Sequence, residues 1–358
     1  MSTVHWVSAR REDAPALLEA KALALWDAAG FSTLIQPNDL VAVKVTVGEP
    51  GNRTYLTPHV VKGLIREISL GGGRPFLTDT APLGESARAN AASHALVAHR
   101  HGFGLGALGA PFVAADGLSG LSEVAVPVRG RHFQEVRVAA AIHEADALLV
   151  VAHVTAHLGA GLSGVLKHLG MGCVSRRSKL LIHRAGTPSV VAARCVGCEV
   201  CVSSCPRSAV EMVDGRAWID PERCGSCGDC VSLCRQGAIS APWEAHGEEL
   251  QERMVEHAAG VVAAKRGRAA FIGVALDLVA ECDCAGKRMM PLVEDIGLFA
   301  GWDPVAVDLA IQRMVRQRTG DTLERWAHRA GPALVQHRYA SSLGMGSEEV
   351  ELVEVAMR

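Results

Sequence analysis

The sequence predicts an α/β fold, a mostly parallel sheet core into which a small cysteine-dense segment is inserted. Three observations predict it. Short β-branched apolar runs alternate with Ala- and Leu-rich segments of helical period through the first half of the chain. From Cys195 to Cys234 that style gives way to closely spaced cysteines, and after Trp243 it returns. The core is therefore discontinuous, residues 1–188 plus 243–358, with residues 189–242 as a separate module.

Each element has its own signal. Residues 4–9 alternate and are short, which reads as a strand; residues 13–29 have a helical period, and Gly30 stops them. Residues 40–47 are β-branched and apolar, as in a buried strand. Thr57 and Pro58 open a helix that runs to Leu70, with Thr57 as N-cap, and three glycines end it. A short strand at 75–78 leads to Asp79 and Thr80, and a helix is expected over 86–101. Residues 123–128 and 132–138 flank Arg-Gly-Arg as a hairpin. Residues 147–152 form another buried strand, then a Gly-rich loop and a short helix at 162–169. Beyond the cysteines, residues 248–265 read as a helix and 270–276 as a strand. Residues 303–318 read as a helix capped by Asp303, with Pro304 in its first turn.

Composition narrows the function classes. In 358 residues, 49% are hydrophobic and 21% charged, enough to bury a core. Lys and Arg number 36 against 38 Asp and Glu, a net charge of −2, and aromatics are only 4%. Neither a basic field nor a set of stacking platforms points to nucleic acid. The N-terminal residues lack the apolar stretch of a secretory signal, and no apolar run approaches the ~20 residues of a membrane helix. A cytoplasmic protein with no membrane partner is the expectation, and in a reducing compartment clustered cysteines favour metal over disulfides.

Eight of the 11 cysteines form a repeat. Cys195, Cys198, Cys201 and Cys205 have the spacing C-x2-C-x2-C-x3-C, followed by Pro206; Cys224, Cys227, Cys230 and Cys234 repeat it 29 residues later. This is the bacterial ferredoxin pattern for two 4Fe-4S clusters. Three thiolates on one tight loop can take three corners of a cubane, and the fourth comes from the other repeat. Cys195, Cys198, Cys201 and Cys234 are thus assigned to one cluster, and Cys224, Cys227, Cys230 and Cys205 to the other. Gly197, Gly225 and Gly228 let the loops turn and aim amides at sulfur. Zinc ribbons space two C-x2-C pairs well apart, which this pattern does not, and disulfides do not suit the compartment. Arg235 stands where a second trailing proline is expected, which removes no ligand. Residues 187–242 hold five Arg and six Asp or Glu, about −1, so steering toward a strongly charged partner is weak.

Cys173, Cys282 and Cys284 lie outside the repeat. In an extended segment the two thiols of Cys282 and Cys284 would point to one side. One reading makes the three a third metal or 4Fe-4S site with an iron open to substrate; the other makes them buried cysteines of the core. Gly159, Gly161 and Gly164 fit GxGxxG between a strand and a helix, the local context of a carboxylate or phosphate cradle. The acidic residue expected about 20 positions on in a dinucleotide site is missing, and tight loop packing is the alternative. Gly104, Gly106 and Gly109 follow a helix and are discounted. His153 and His157 follow the 147–152 strand, at the sheet edge where open α/β proteins bind ligands. Lys167 and His168 lie on the next helix, and Lys44 sits inside an apolar strand. His157, Lys167 and Lys44 are the candidate catalytic residues; a packed structural role is the plain alternative for each.

Together these pieces resemble the family called domain of unknown function 362, in its ferredoxin-containing branch. The resemblance is carried by Val41-Ala-Val-Lys-Val-Thr-Val-Gly-Glu, Tyr55-Leu-Thr-Pro, Pro75-Phe-Leu-Thr-Asp-Thr, Gly164-Val-Leu-Lys-His-Leu-Gly-Met-Gly-Cys, the two cysteine repeats, Cys282-Asp-Cys and Asp303-Pro-Val-Ala-Val-Asp. It runs over nearly the whole chain and implies an α/β domain carrying a two-cluster insert, with no settled reaction. Relatives often carry Ser-His-Phe-Lys-Gly-His where this chain has Ala152-His-Val-Thr-Ala-His, so the histidines remain and a lysine is lost. Lys167-His168 likewise replaces a usual Lys-Asn.

The expected function is an iron–sulfur oxidoreductase. Electrons from a donor protein enter the two 4Fe-4S clusters and reach a site on the α/β domain that acts on a small polar or anionic substrate. Two alternatives stand beside it. One is an electron-transfer module that docks a partner enzyme; the other is a non-redox lyase or isomerase with structural clusters.

Overall fold

The computed structural model describes residues 1–83, 86–183, 187–225, 228–240, 247–328 and 333–357. Cys227 and the expected module boundary at 243 lie outside the described residues.

Eight strands form one sheet: β1 (Ser2–Ser8), β2 (Leu40–Lys44), β3 (Arg74–Asp79), β4 (Phe112–Ala114), β5 (Ala147–His153), β6 (Ala269–Ala275), β7 (Gly297–Gly301) and β8 (Val350–Glu354). Their spatial order is β8-β1-β7-β6-β5-β2-β3-β4. β7 runs antiparallel to both neighbours, and every other pairing is parallel. The core is therefore α/β with a mostly parallel sheet, as the sequence predicts. Strands from both sides of the cysteine segment build it. The chain steps outward from β2 through β3 to β4, then returns to place β5 on the other side of β2. The crevice outside the carboxyl ends of strands at such a reversal is where open α/β sheets bind ligands.

Period-2 alternation explains the central strands. In β5 all seven residues are buried. Leu148, Val150 and Ala152 join the apolar layer on one face; Ala147, Leu149 and Val151 join the layer on the other. The helices sort accordingly. Those that bear on the core and the cavity include α1 (Pro15–Ala28), α2 (Pro58–Leu70), α3 (Ala91–Arg100), α4 (Val165–Gly170), α5 (Arg176–Ile182), α6 (Glu248–Lys265) and α7 (Pro304–Thr319). Leu18 and Leu25 of α1, Leu64 and Ile68 of α2 and Val97 of α3 cover one face. Leu166 of α4, Met254 and Val261 of α6 and Ile311 of α7 cover the other.

Several boundaries differ from the sequence reading for local reasons. The helix expected from residue 86 begins at Ala91, where the Asn90 side chain accepts from the Ser93 amide. Residues before it turn toward Glu49, which accepts from Ser86 Oγ at 2.8 Å and the Ala87 amide at 2.6 Å. Thr57 sits at the N-cap of α2, but its side chain makes no capping bond. Asp303 caps α7 as expected, accepting from the amides of Val305 and Ala306. The Gly-rich loop is a small antiparallel hairpin, Thr155–His157 with Gly161–Ser163, before α4 opens at Gly164.

The cysteine segment repeats in its backbone as well as its sequence. Short helices span Val200–Ser203 and Asp229–Leu233. Glu199 and Gly228 are both left-handed, as are Ser208 and Gly237, each pair 29 residues apart. The Ala209 amide donates to Cys205 Sγ at 3.2 Å and the Ala238 amide to Cys234 Sγ at 3.3 Å. Cys201, Cys230, Val210, Ile219 and Ile239 form a small apolar core, against which Cys195, Cys205, Cys224 and Cys234 pack. The segment enters and leaves on paired strands, Ser189–Val190 against Ile239–Ser240.

Candidate functional site

At the carboxyl ends of β2, β3 and β5 lies a cavity of about 200 Å³. Lys44 is the last residue of β2 and Asp79 the last of β3. Burial of both would be costly unless paired. Lys44 Nζ stands 3.2 Å from Asp79 Oδ1 and donates to the Val45 carbonyl at 2.7 Å. Arg88, 3% exposed, bridges Asp79 at 3.4 Å and Glu49 at 2.8 Å. Burial would raise the Asp79 carboxyl, but Lys44, His94, Arg88 and Lys179 outweigh it and hold it down at about 2. Asp79 is therefore ionised in any neutral buffer.

The opposite wall comes from the hairpin, α4 and α5. His157 Nδ1 accepts from the amides of Gly159 at 3.1 Å and Ala160 at 3.0 Å, which places the ring proton on Nε2. Lys167 Nζ donates to Ser163 Oγ at 3.4 Å, and burial brings its ammonium down to about 8. Lys179 Nζ donates to Thr80 Oγ1 at 2.7 Å and the Ala81 carbonyl at 2.5 Å; burial lowers it, too, to about 8. His168 Nδ1 donates to the Gly164 carbonyl at 2.7 Å. Burial first, then the Lys44 charge, pushes that imidazole well below its ordinary range, so Nε2 carries a lone pair. Four cations line the cavity, Lys44, Arg88, Lys167 and Lys179, against the carboxylates Asp79 and Asp283. Asp283 is itself committed: His153 Nδ1 donates to it at 2.9 Å and His153 Nε2 donates to the Leu276 carbonyl at 2.7 Å. Burial works against the His153 charge, but Asp283 and these bonds raise its pKa above the usual value. The balance leaves a cavity with surplus positive charge, chemically suited to an anion.

The structure thus brings Lys44, His157 and Lys167 to one cavity, the three residues singled out from sequence. It adds Arg88, Lys179, His183 and Asp283, which sequence reasoning missed. Only Asp283 had a local signal, its place between two cysteines. Cys282 and Cys284 also line the cavity, joined by a disulfide. Cys173 is fully buried in the apolar layer that holds Leu169 and Val174, and burial pushes its thiol up to about 12. Cys282 and Cys284 thus pair with each other at the cavity, which Cys173 does not line. Among the described residues, no group of three His, Cys, Asp or Glu side chains is placed to hold a single metal ion.

The Gly-rich motif does not cradle an external anion at the helix start. The amides of Val165 and Leu166 donate to the Asp308 carboxylate at 2.7 and 3.0 Å. A Cβ on Gly164 would stand 2.2 Å from Asp308 Oδ1, so the glycine is what admits this carboxylate. The group expected at the helix N-terminus is the chain's own carboxyl, supplied from α7 across the layer.

The cysteine segment meets the core at α5. Gly228 lies against Leu180, where an added Cβ would stand 2.6 Å from Leu180 Cδ1. Arg177 Nε stands 2.6 Å from Asp229 Oδ1 and Arg177 Nη1 2.8 Å from Glu123. One short helix therefore presents Lys179 to the cavity and Arg177 and Leu180 to the second cysteine repeat. The loop around Cys198 faces outward: Cys198 is exposed, as are its neighbours Val196 and Val200 and, on the strand Arg216–Ile219, Trp218.

No curated protein matches the chain. Among solved structures, a protein from Thermotoga maritima superposes with a TM-score of 0.45 at 10% identity, covering 88% of this chain and 59% of its own. The lactate racemase apoprotein from Thermoanaerobacterium thermosaccharolyticum gives 0.44 at 12% identity, covering 89% and 58%. The chain spans under two thirds of the length of each. A family described as Domain of unknown function (DUF362) matches residues 41–313, a span that takes in the cavity from Lys44 to Cys284 and the whole cysteine segment. The chain belongs to the DUF362 family.

Proposed function

We propose that the chain is an iron–sulfur oxidoreductase that reduces or oxidises a small anion bound in the cationic cavity. The observation that carries the reading is α5, which joins the second cysteine repeat to the cavity wall through adjacent side chains. The donor set suits two 4Fe-4S clusters. Cysteines of both repeats share one small core, and backbone amides point at Cys195, Cys205 and Cys234 sulfurs. Those amides lower the Cys195 thiol, the Ala217 bond foremost, and so favour the thiolate that iron requires. Cys195, Cys198, Cys201 and Cys234 would hold one cluster, and Cys224, Cys227, Cys230 and Cys205 the other. When bound, the clusters supply one-electron transfer at low potential.

The chain's own residues do the rest. The outward loop around Cys198 offers a donor protein an apolar contact, and the inner repeat abuts the cavity wall. Lys44 and Arg88, fixed by Asp79, orient an anionic group. Lys167 and Lys179 neutralise its charge, and their ammonium protons are easily given up near pH 8. His168 Nε2 accepts, so the cavity can hold a hydroxyl beside the anionic group. The same bases support a second reading, proton abstraction by a non-redox lyase or isomerase with structural clusters.

Anaerobic purification with iron and sulfide analysis tests the first reading. About eight of each per chain, with paramagnetic signals on reduction, is the expected result. Colourless or zinc-loaded protein overturns it. Activity undiminished with both clusters oxidised would favour the second reading.

A further inference from the structure

A disulfide between Cys282 and Cys284 closes a ring around one intervening residue, Asp283. A cross-link stabilises a fold by restricting the unfolded chain, and it does so more, as the logarithm of its length, for a longer loop. This loop is almost as short as a loop can be, so the bond does little as a staple. Its position is informative instead. Both cysteines line the cationic cavity with Lys44, Lys167 and Lys179. We propose that Cys282 and Cys284 are a redox-active pair that serves this cavity as a two-electron disulfide–dithiol couple.

Three features support the pair as a working couple. The first is asymmetry: Cys282 is 6% exposed and Cys284 is exposed. An incoming reductant meets the Cys284 sulfur, and Cys282 leaves as the sulfur inside the cavity. The second is anchoring that does not depend on the S–S bond. The Asp283 carboxylate is held by His153, its carbonyl accepts from the Glu49 amide at 3.0 Å, and the Ala285 amide donates to the Cys282 carbonyl at 2.9 Å. Gly51 packs so closely on the Gly286 carbonyl that a Cβ would approach it to 2.6 Å. Opening the disulfide therefore leaves the backbone that carries both cysteines in place, and the two sulfurs need only turn apart to nonbonded contact. The third is electrostatic: surplus positive charge along the cavity favours the thiolate form on which exchange depends.

Reduction breaks the S–S bond, takes in two electrons and adds two protons from water, giving two thiols. The electron supply rests on the proposed clusters of the insert, two one-electron centres that match the couple's requirement; the couple itself does not rest on them. A cellular dithiol is the alternative reductant. In the reverse direction the pair returns two electrons to an oxidised substrate in the cavity and closes again.

The experiment is alkylation of the full-length protein under anaerobic conditions. Native protein is treated with iodoacetamide after equilibration in buffers of reduced and oxidised dithiothreitol, digested, and the peptide bearing both cysteines weighed. The expected result is an unlabelled peptide in oxidising buffer and double labelling in reducing buffer, joined by a two-electron titration curve. Cys284→Ser abolishes the transition, and Cys173→Ser leaves it in place. Labelling without reductant, or no reduction of the native protein in any buffer, overturns the proposal. So does an iron content of about twelve per chain that falls by about four in Cys284→Ser, because the pair then ligates a third cluster. Iron-free protein that retains the transition overturns the cluster reading and leaves the couple standing.

Discussion

Replacing Asp308 with asparagine alters one proton equilibrium and one pair of hydrogen bonds at the root of the cavity helix. The carboxylate is fully buried, accepts from two amides of α4 and feels the charge of Glu324. Burial, first among these influences, raises it from 3.8 to about 7. Between those values the native protein keeps a proton that the unfolded chain has lost. Stability therefore falls as pH rises, by about 1.4 kcal/mol per unit, and levels off once the native carboxyl ionises. Asparagine does not titrate, so its variant lacks this slope. Its amide oxygen satisfies one of the two N–H groups, and its own NH2 faces the other, a loss of about 1–3 kcal/mol. The stability gap between wild type and Asp308→Asn should then shrink by about 2.5 kcal/mol from pH 5 to pH 7 and change little above it. Urea unfolding followed by tryptophan fluorescence across that range measures the gap. A difference that stays constant from pH 5 to pH 8 refutes the reasoning, because it means Asp308 is ionised throughout.

Four other outcomes are expected. Lys167→Met should weaken binding of inorganic phosphate or malonate by about 10–100-fold, the value of one charge-assisted contact, and calorimetry with an unchanged affinity would remove Lys167 from the anion site. Affinity of the wild type for the same anions should decline above pH 8, as Lys167 and Lys179 lose their protons; a profile flat to pH 10 contradicts this. Cys195→Ser and Cys224→Ser should each lower bound iron by about four atoms per chain, measured after anaerobic reconstitution. Gly170→Ala would set a Cβ 2.2 Å from the Met254 carbonyl, so α4 and α6 must separate, and a loss of about 1–3 kcal/mol in unfolding free energy is expected.

The sequence made the sheet legible where periodicity was strong. β5 is apolar up to its last residue, His153, β6 is apolar throughout, and α6 and α7 carry long helical patterns with clear ends. β4, β7 and β8 escaped notice. β7 begins and ends with glycine and has only three side chains to show a pattern, and β4 has three residues in all. The cysteine repeat was legible because its spacing is local. The cavity was half legible: Lys44 stood out as a charge in an apolar strand, and Lys167 and His157 followed a strand end. Arg88 and Lys179 are fixed by partners far along the chain, Glu49 for one and Thr80 and Ala81 for the other. No window of sequence contains such pairs. The Gly-rich motif misled for the same reason, since the carboxylate that fills it arrives from residue 308.

The paired strands Ser189–Val190 and Ile239–Ser240 bring the two junctions of the cysteine segment side by side. Entry and exit of the segment thus share one ladder. Chimeras spliced at these two points would show whether the electron relay proposed above travels with the segment.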